Sequence, residues 1–225
     1  MSRFVTLARG TVLAALLALS LHAPAQASAN LLSNGSFEAG NFAPDGNGYE
    51  SLNIGATDIT DWTVISGEGA WASNASVDGL KASDGTQFLD LTGYHNFVPY
   101  SGVAQTINTT VGQQYELSFD VGDSALNGLF QGPVSVQATA GTLNSIATLG
   151  PSPSGNLWQT YTYHFTATDA ATTVSLLGVQ GIDYIGLDNV SVKAVPEAAS
   201  VITFCLFFAM GAFALRTSRR QKTAL

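Results

Sequence analysis

Between residues 102 and 192 apolar and polar positions alternate in short runs with a period of two, the pattern of half-buried β-strands. In 114–121, Tyr115, Leu117, Phe119 and Val121 fall on one face, and Glu116, Ser118 and Asp120 on the other. Tyr161, Tyr163 and Phe165 alternate in the same way with Thr160, Thr162, His164 and Thr166. Aromatic and β-branched residues suit such a pleated, half-covered surface. The same reading predicts strands over 61–65, 86–91, 102–107, 114–121, 133–138, 159–166, 172–179 and 184–192. Gly, Asn, Asp, Ser and Pro cluster between the runs, as in 123–132 and 150–155, and supply turns. No stretch carries a convincing helical period. Eight or so strands without helices predict an all-β fold, an antiparallel β-sandwich of the jelly-roll kind.

Both ends break this pattern. Arg3 and Arg9 precede an apolar run over 11–21, followed by small residues at Ala23, Ala25, Ala27 and Ala29. A charged start, an apolar middle and Ala-x-Ala cleavage options predict a signal peptide over 1–29. At the other end an uncharged run of 18 residues, 198–215, is apolar on every face. That is the lower end of what a transmembrane helix needs to cross a bilayer. Arg216, Arg219, Arg220 and Lys222 follow with no acid among them, which predicts a cytoplasmic C-terminus. The stretch between the ends, 30–194, has 165 residues, enough for one exported domain with a sizeable core.

Charge narrows the partners of that domain. It holds fifteen acids against Lys81 and Lys193 alone, no arginine, and a formal charge of −13. Nucleic acid and anionic lipid surfaces are poor partners for it, because both are bound through Lys and Arg. Calcium, neutral sugars and cationic surfaces are not, and a solvated acidic surface accounts for the charge equally well. The one cysteine, Cys205, lies in the 198–215 run, so the domain has no disulfide although it is exported.

Two resemblances add to this reading. Val195-Pro196-Glu197-Ala198 stands directly before the apolar run, and the arginine cluster directly after it. This order resembles the PEP-CTERM sorting signal of Gram-negative bacteria, whose commonest form has proline where Ala198 stands. The resemblance implies that 195–225 is a sorting signal recognised by an exosortase of the inner membrane. Val195, Pro196, Glu197, Arg216, Arg219 and Arg220 are its motif residues. The protein is then membrane-anchored at first and later delivered to the envelope surface or to an extracellular, exopolysaccharide or biofilm matrix. The residues by themselves also fit a plain membrane anchor.

The second resemblance covers the domain. Asn30-Leu-Leu-Ser-Asn-Gly-Ser-Phe-Glu38 looks like the opening strand of galactose-binding-like jelly rolls, which include secreted carbohydrate-binding modules and DUF642-type proteins. Asp61-Trp62, Asp84-Gly-Thr-Gln-Phe-Leu-Asp-Leu91, Gly102-Val-Ala-Gln-Thr-Ile107, 112–120, 158–167 and Gly186-Leu-Asp-Asn-Val-Ser-Val192 follow in the same order. The resemblance implies a fold that hosts sugar binders and structural parts alike. It also implies that Glu38 and Asp188, at the two ends of the domain, help hold a structural Ca²⁺. The residues alone leave open that these two carboxylates only cap turns.

No catalytic constellation accompanies the fold. No Gly-x-Ser-x-Gly elbow, His-Glu-x-x-His motif or phosphate-cradling loop occurs, and His95 and His164 have no ligand-spaced partners. The expectation is therefore not an enzyme. Sugars stack on flat rings while polar groups read their hydroxyls, so aromatic residues in loops are the candidate ligand face. Trp71 sits among small polar residues, and 93–101 brings together Tyr94, His95, Asn96 and Tyr100. Trp62 and Trp158 begin strands and are expected in the core. Two functions stay open: a non-catalytic carbohydrate-binding module, or a structural or adhesive surface protein without a small ligand.

Overall fold

A computed structural model describes residues 28–128, 130 and 132–196. The predicted signal peptide, up to residue 27, and the sorting tail from Glu197 onward, with Arg216, Arg219 and Arg220, lie outside the described residues. Among the described residues no helix is long and apolar enough to cross a membrane.

Among the described residues eleven strands follow one another: β1 Tyr49–Asn53, β2 Thr63–Ser66, β3 Glu68–Ser73, β4 Gln87–Asp90, β5 Gly102–Asn108, β6 Gln114–Ser124, β7 Val134–Ala140, β8 Leu143–Leu149, β9 Asn156–Thr166, β10 Ala171–Gln180 and β11 Gly186–Ala194. They form an all-β, antiparallel two-sheet sandwich with jelly-roll character. The six-stranded sheet has the order β1-β3-β4-β11-β6-β9 and the five-stranded sheet β2-β5-β10-β7-β8. The predicted alternation holds in the longest strands. Leu117, Phe119 and Val121 of β6 are completely buried between the sheets, and they meet Val136, Val174 and Leu176 of the opposite sheet in one core. Tyr161 and Tyr163 of β9 are only half-buried. Their rings stack near Phe119, and their hydroxyls donate to the carbonyls of Thr148 and Ile146 at 2.6 and 3.2 Å, which ties the edges of the two sheets together.

The structure corrects the sequence reading in three places. β1, β3 and β8 are strands that the pattern did not predict. The segment Asn30–Glu38 is not a strand but a chain of turns, with Asn34 and Phe37 at positive φ. It still runs beside β11: Leu31 N–H donates to Val192 O, and Val190 N–H to Gly35 O, both at 2.8 Å. A bulge between Asp188 and Ser191 turns Val190 toward this segment instead of toward β6. From the second sheet, Gln105 reaches across to accept from Ser33 N–H at 2.8 Å and donate to Ser33 O at 3.0 Å.

The third correction concerns the tryptophans. Trp71 is fully buried in the core, with its indole N–H donating to Phe37 O at 3.0 Å, so it offers no face to a ligand. Ala70 and Ala72 beside it are small because Tyr49, Phe88 and the 74–86 loop cover the other side of β3, not because the strand is exposed. Trp158 is the tryptophan that leaves the core. It lies half-buried on the outside of the six-stranded sheet, with Nε1 donating to Lys81 O at 2.8 Å. Trp62 is buried as expected.

Candidate functional site

The outer face of the six-stranded sheet is not left to solvent. Side chains opposite the core residues Trp71, Leu89, Leu187 and Val121 line up across the strands as Ala70, Asp90, Gly186 and Gly122, then Trp158. The two glycines make room for rings. A Cβ on Gly122 would stand 2.7 Å from the Trp158 ring, and one on Gly186 would stand 2.4 Å from the Tyr184 hydroxyl. Tyr49, Leu80, Phe88, Phe130 and Tyr184 close over this row as a second, smaller apolar cluster.

At the β1–β3–β4 end of the face the covering loops part and leave an open cleft of about 400 Å³. Tyr49, Ala70 and Asp90 form its floor, and Asn47, Asp78 and Phe130 stand at its sides. The loop after β4 supplies the rim through Gly93, Tyr94 and Asn96. Gly93 has φ +74°, and a Cβ there would meet Glu68 O at 2.3 Å, so the rim loop leaves the sheet at a place only glycine fits. Tyr94 is 44% exposed and packs edge-on against Tyr49, with ring centroids 6.2 Å apart. Its hydroxyl accepts from Asn47 Nδ2 at 2.9 Å, which fixes the ring between this cleft and a second hollow lined by Asp45, Glu50 and Ser51.

Two carboxylates of the cleft are positioned by short bonds. Tyr49 Oη donates to Asp78 Oδ2 at 2.7 Å; burial, and then the neighbouring Asp78, push the phenol well above its ordinary range, so it stays a donor. Asp90 Oδ1 accepts from Thr92 N–H, Thr92 Oγ1 and Ile185 N–H at 2.9, 2.8 and 3.0 Å. Burial nevertheless pushes the Asp90 carboxyl up to about 7, with the nearby charge of Asp183 adding to it.

Of the predicted ligand residues, the structure brings Tyr94 and Asn96 together at the cleft. His95 points away and pairs with Glu68 through Nδ1 at 2.6 Å. Tyr100 is turned back into the fold, its hydroxyl donating to Gly181 O at 2.8 Å. Asn47, Tyr49, Asp78, Asp90 and Asp183 were not expected, since they converge from segments far apart in the chain. One signal was present: Phe88 and Asp90 occupy the outward positions of β4, and an outward phenylalanine marks a covered face.

Glu38 and Asp188 do act on one piece of structure, but by accepting from N–H and hydroxyl donors. Glu38 Oε1 accepts from the Thr86 and Gln87 amides at 2.7 and 2.6 Å, and Oε2 accepts from Thr86 Oγ1 at 2.8 Å. Asp188 Oδ2 accepts from the Ser83 and Asp84 amides at 2.8 and 2.9 Å, and Oδ1 from Asn189 N–H at 2.7 Å. Together they hold the 83–87 turn from both sides. Gly85 at its tip has φ +71°, and a Cβ there would strike Glu38 Oε1 at 2.5 Å. All four carboxylate oxygens face donors, and among the described residues no three Asp, Glu, His or Cys side chains gather closely enough for a metal ion. This donor set does not fit the six to eight oxygens that Ca²⁺ takes.

Comparison with known proteins adds the lineage. No curated protein matches the sequence. Among solved structures, similar folds include the CBM22-1 xylan-binding domain from Paenibacillus barcinonensis Xyn10C, at 15% identity over 77% of this chain and 99% of that one, with a TM-score of 0.42. TmCBM61 in complex with β-1,4-galactotriose is 15% identical over 75% of this chain and 100% of that one, with a TM-score of 0.40. A CBM4 structure is 18% identical over 72% and 99%, with a TM-score of 0.37. Likenesses at this level say nothing about what this chain binds. The family described as protein of unknown function (DUF642) matches residues 30–193, the entire sandwich, and the chain belongs to that family.

Proposed function

We propose that this chain is an exported, non-catalytic carbohydrate-binding module, displayed on the cell envelope or within an exopolysaccharide matrix. The observation that carries this reading is the cleft over β1, β3 and β4. Its volume of about 400 Å³ falls within the range of small-ligand sites. It joins an exposed ring held in place, Tyr94, to amide and carboxylate groups at Asn47, Asn96 and Asp78. A pyranose presents an apolar face to stack on such a ring and hydroxyls to pair with such groups. Strand residues floor the site and Asn47 ties the Tyr94 ring in place, which limits the ordering cost of binding.

Delivery is the second half of the proposal, and the sequence order of 195–225 supports it: Pro196-Glu197, the apolar run, then Arg216, Arg219 and Arg220. An exosortase would be the partner that recognises this tail. Val195, where the motif begins, is bonded to the sandwich, its N–H donating to Gln114 O at 2.9 Å and its carbonyl accepting from Gln113 Nε2 at 2.6 Å. On this reading the signal follows the last strand without a linker.

Affinity gels cast with xylan or β-1,4-galactan test the binding half. Millimolar to micromolar affinity is expected, about 4–8 kcal/mol. Tyr94→Ala should remove most of the retardation while the melting temperature stays close to wild type. Unchanged retardation of Tyr94→Ala, or none for the wild type on any polysaccharide, contradicts it. For the tail, replacing Pro196 and Glu197 by alanine in the native host should leave unprocessed protein in the inner membrane. An intact-mass measurement that finds the whole tail on mature wild-type protein contradicts the sorting reading.

A second reading, an adhesive protein without a small ligand, is favoured by one observation. Phe97 and Val98 project from the rim loop, each 73% exposed. Under that reading Phe97→Ser reduces cell or matrix attachment, whereas Tyr94→Ala has no effect on it.

A further inference from the structure

Among the described residues that line it, the cleft carries carboxylates and no cationic side chain. Asp90 is 6% exposed, and all its described hydrogen bonds fall on Oδ1; no described donor reaches Oδ2. Asp183, also on the cleft wall, receives no side-chain hydrogen bond from a described residue, and its charge acts on Asp90. Asp78 has Tyr49 on Oδ2 only. Lys81, next in sequence to the wall residue Leu80, is tied to the carbonyl of Asn74. No arginine occurs anywhere between 30 and 194. Charges of one sign around a half-enclosed space repel one another more strongly than they would in open water. A uronic acid entering this cleft would add to that repulsion.

A ligand bearing positive charge would relieve it. A single metal ion is a poor candidate, because among the described residues no three ligand-type side chains converge on one point. The relieving charge has to be spread along a molecule that also offers hydroxyls to Asn47 and Asn96 and a ring face to Tyr94. Ammonium groups on a sugar ring meet all three demands. An ammonium donates three hydrogen bonds and pairs with a buried carboxylate through a charge-assisted bond.

We propose that the cleft selects saccharides carrying free, protonated amines over neutral and uronic ones, with Asp90 Oδ2 receiving the ammonium. The inference rests on the reading of the cleft as a saccharide site and names its substrate class: an amine-bearing polysaccharide. Specificity then comes from attraction to the amine together with rejection of carboxylate sugars.

The test is calorimetric titration of the full chain in detergent at physiological salt. The probes are glucosamine trimers, β-1,4- and β-1,6-linked, their N-acetylated counterparts, and a galacturonic acid trimer. An amine trimer should bind about ten- to a hundredfold more tightly than its neutral acetylated form, and the uronate should not bind measurably. Asp90→Asn should bring the amine trimer down to the level of the acetylated one. Asp183→Asn should weaken it in the same direction. Asp169→Asn, an exposed carboxylate elsewhere with the same change in net charge, should have no effect. Equal binding of amine and acetylated trimers by the wild type overturns the amine preference and leaves the saccharide cleft standing. Equal loss in Asp169→Asn and Asp90→Asn overturns it too, since general charge would then explain the attraction. If no trimer and no polysaccharide binds, the saccharide cleft itself falls.

Discussion

Asp90 and Asp188 are buried carboxylates on the same face, and both are pushed up to about 7, mainly by burial. An unfolded aspartate loses its proton near 4, so between about 4 and 7 the folded chain holds protons that the unfolded chain has released. Stability therefore falls as pH rises through that window. The melting temperature should be higher at pH 5 than at pH 8, which a thermal scan across pH checks directly. The two residues should part company on mutation. Asp90→Asn keeps its one bonded oxygen as an acceptor and sheds the buried charge, so it should raise stability at pH 8 and flatten the pH slope. In Asp188 both oxygens accept N–H groups, and Asp188→Asn leaves one set of donors facing an NH₂ group, so it should destabilise. At this scale the sequence was a partial guide. Tyr94 and Asn96 were legible because both lie in one aromatic loop, whereas Asp90 and Tyr49 reach the cleft only through strand pairing. Trp71 was misread because small neighbours suggest exposure, while here they mark the thin place where a strand is covered on both sides. Trp71→Ala should cost about 3–5 kcal/mol of stability, measured by denaturant unfolding. A loss below 1 kcal/mol would contradict its place in the core.

Among the elements, the long strands were the readable ones. β6 and β10 carry an alternation whose inward residues are those of the core; in β9 only Phe165 is fully buried, and in β11 the bulge after Asp188 shifts the phase, so that Leu187, Val190 and Val192 join the core. β1 and β3 were not, because Tyr49–Asn53 is short and polar-flanked and Glu68–Ser73 is built from small residues. β8 alternates, but its outward positions and its edge location give it the composition of a loop; its hairpin with β7 turns at Gly141, with φ +48°. The 83–87 turn is held by two carboxylates, Glu38 and Asp188, which accept its N–H and hydroxyl groups. Glu38→Ala removes three hydrogen bonds from an exposed site and should cost roughly 1 kcal/mol. Adding calcium or chelator to the wild type should leave its melting curve in place. A calcium-dependent rise of several degrees, abolished by Glu38→Gln, would show that the turn rearranges into a ligand set after all.

At the scale of the molecule, the sandwich supplies a rigid base, and one of its outer faces is half roofed by loops. The roof is closed over Tyr184 and parts beside Tyr49 and Asp90, where the cleft sets the place a ligand can enter. The overall class was legible because period-two alternation without helical segments admits few architectures. The cleft was not, since it is a property of how loops 74–86 and 93–101 cover a sheet. The account stands on that cleft being the place where sugar binds. Amide and side-chain NMR shifts followed during titration with an amine-bearing or neutral oligosaccharide test it most directly. The account predicts saturable shifts concentrated at Asn47, Tyr49, Asp78, Asp90, Tyr94 and Asn96, with the remainder of the sandwich unmoved. Saturable shifts centred on the opposite sheet, or at Phe97 and Val98 with the cleft silent, would contradict it.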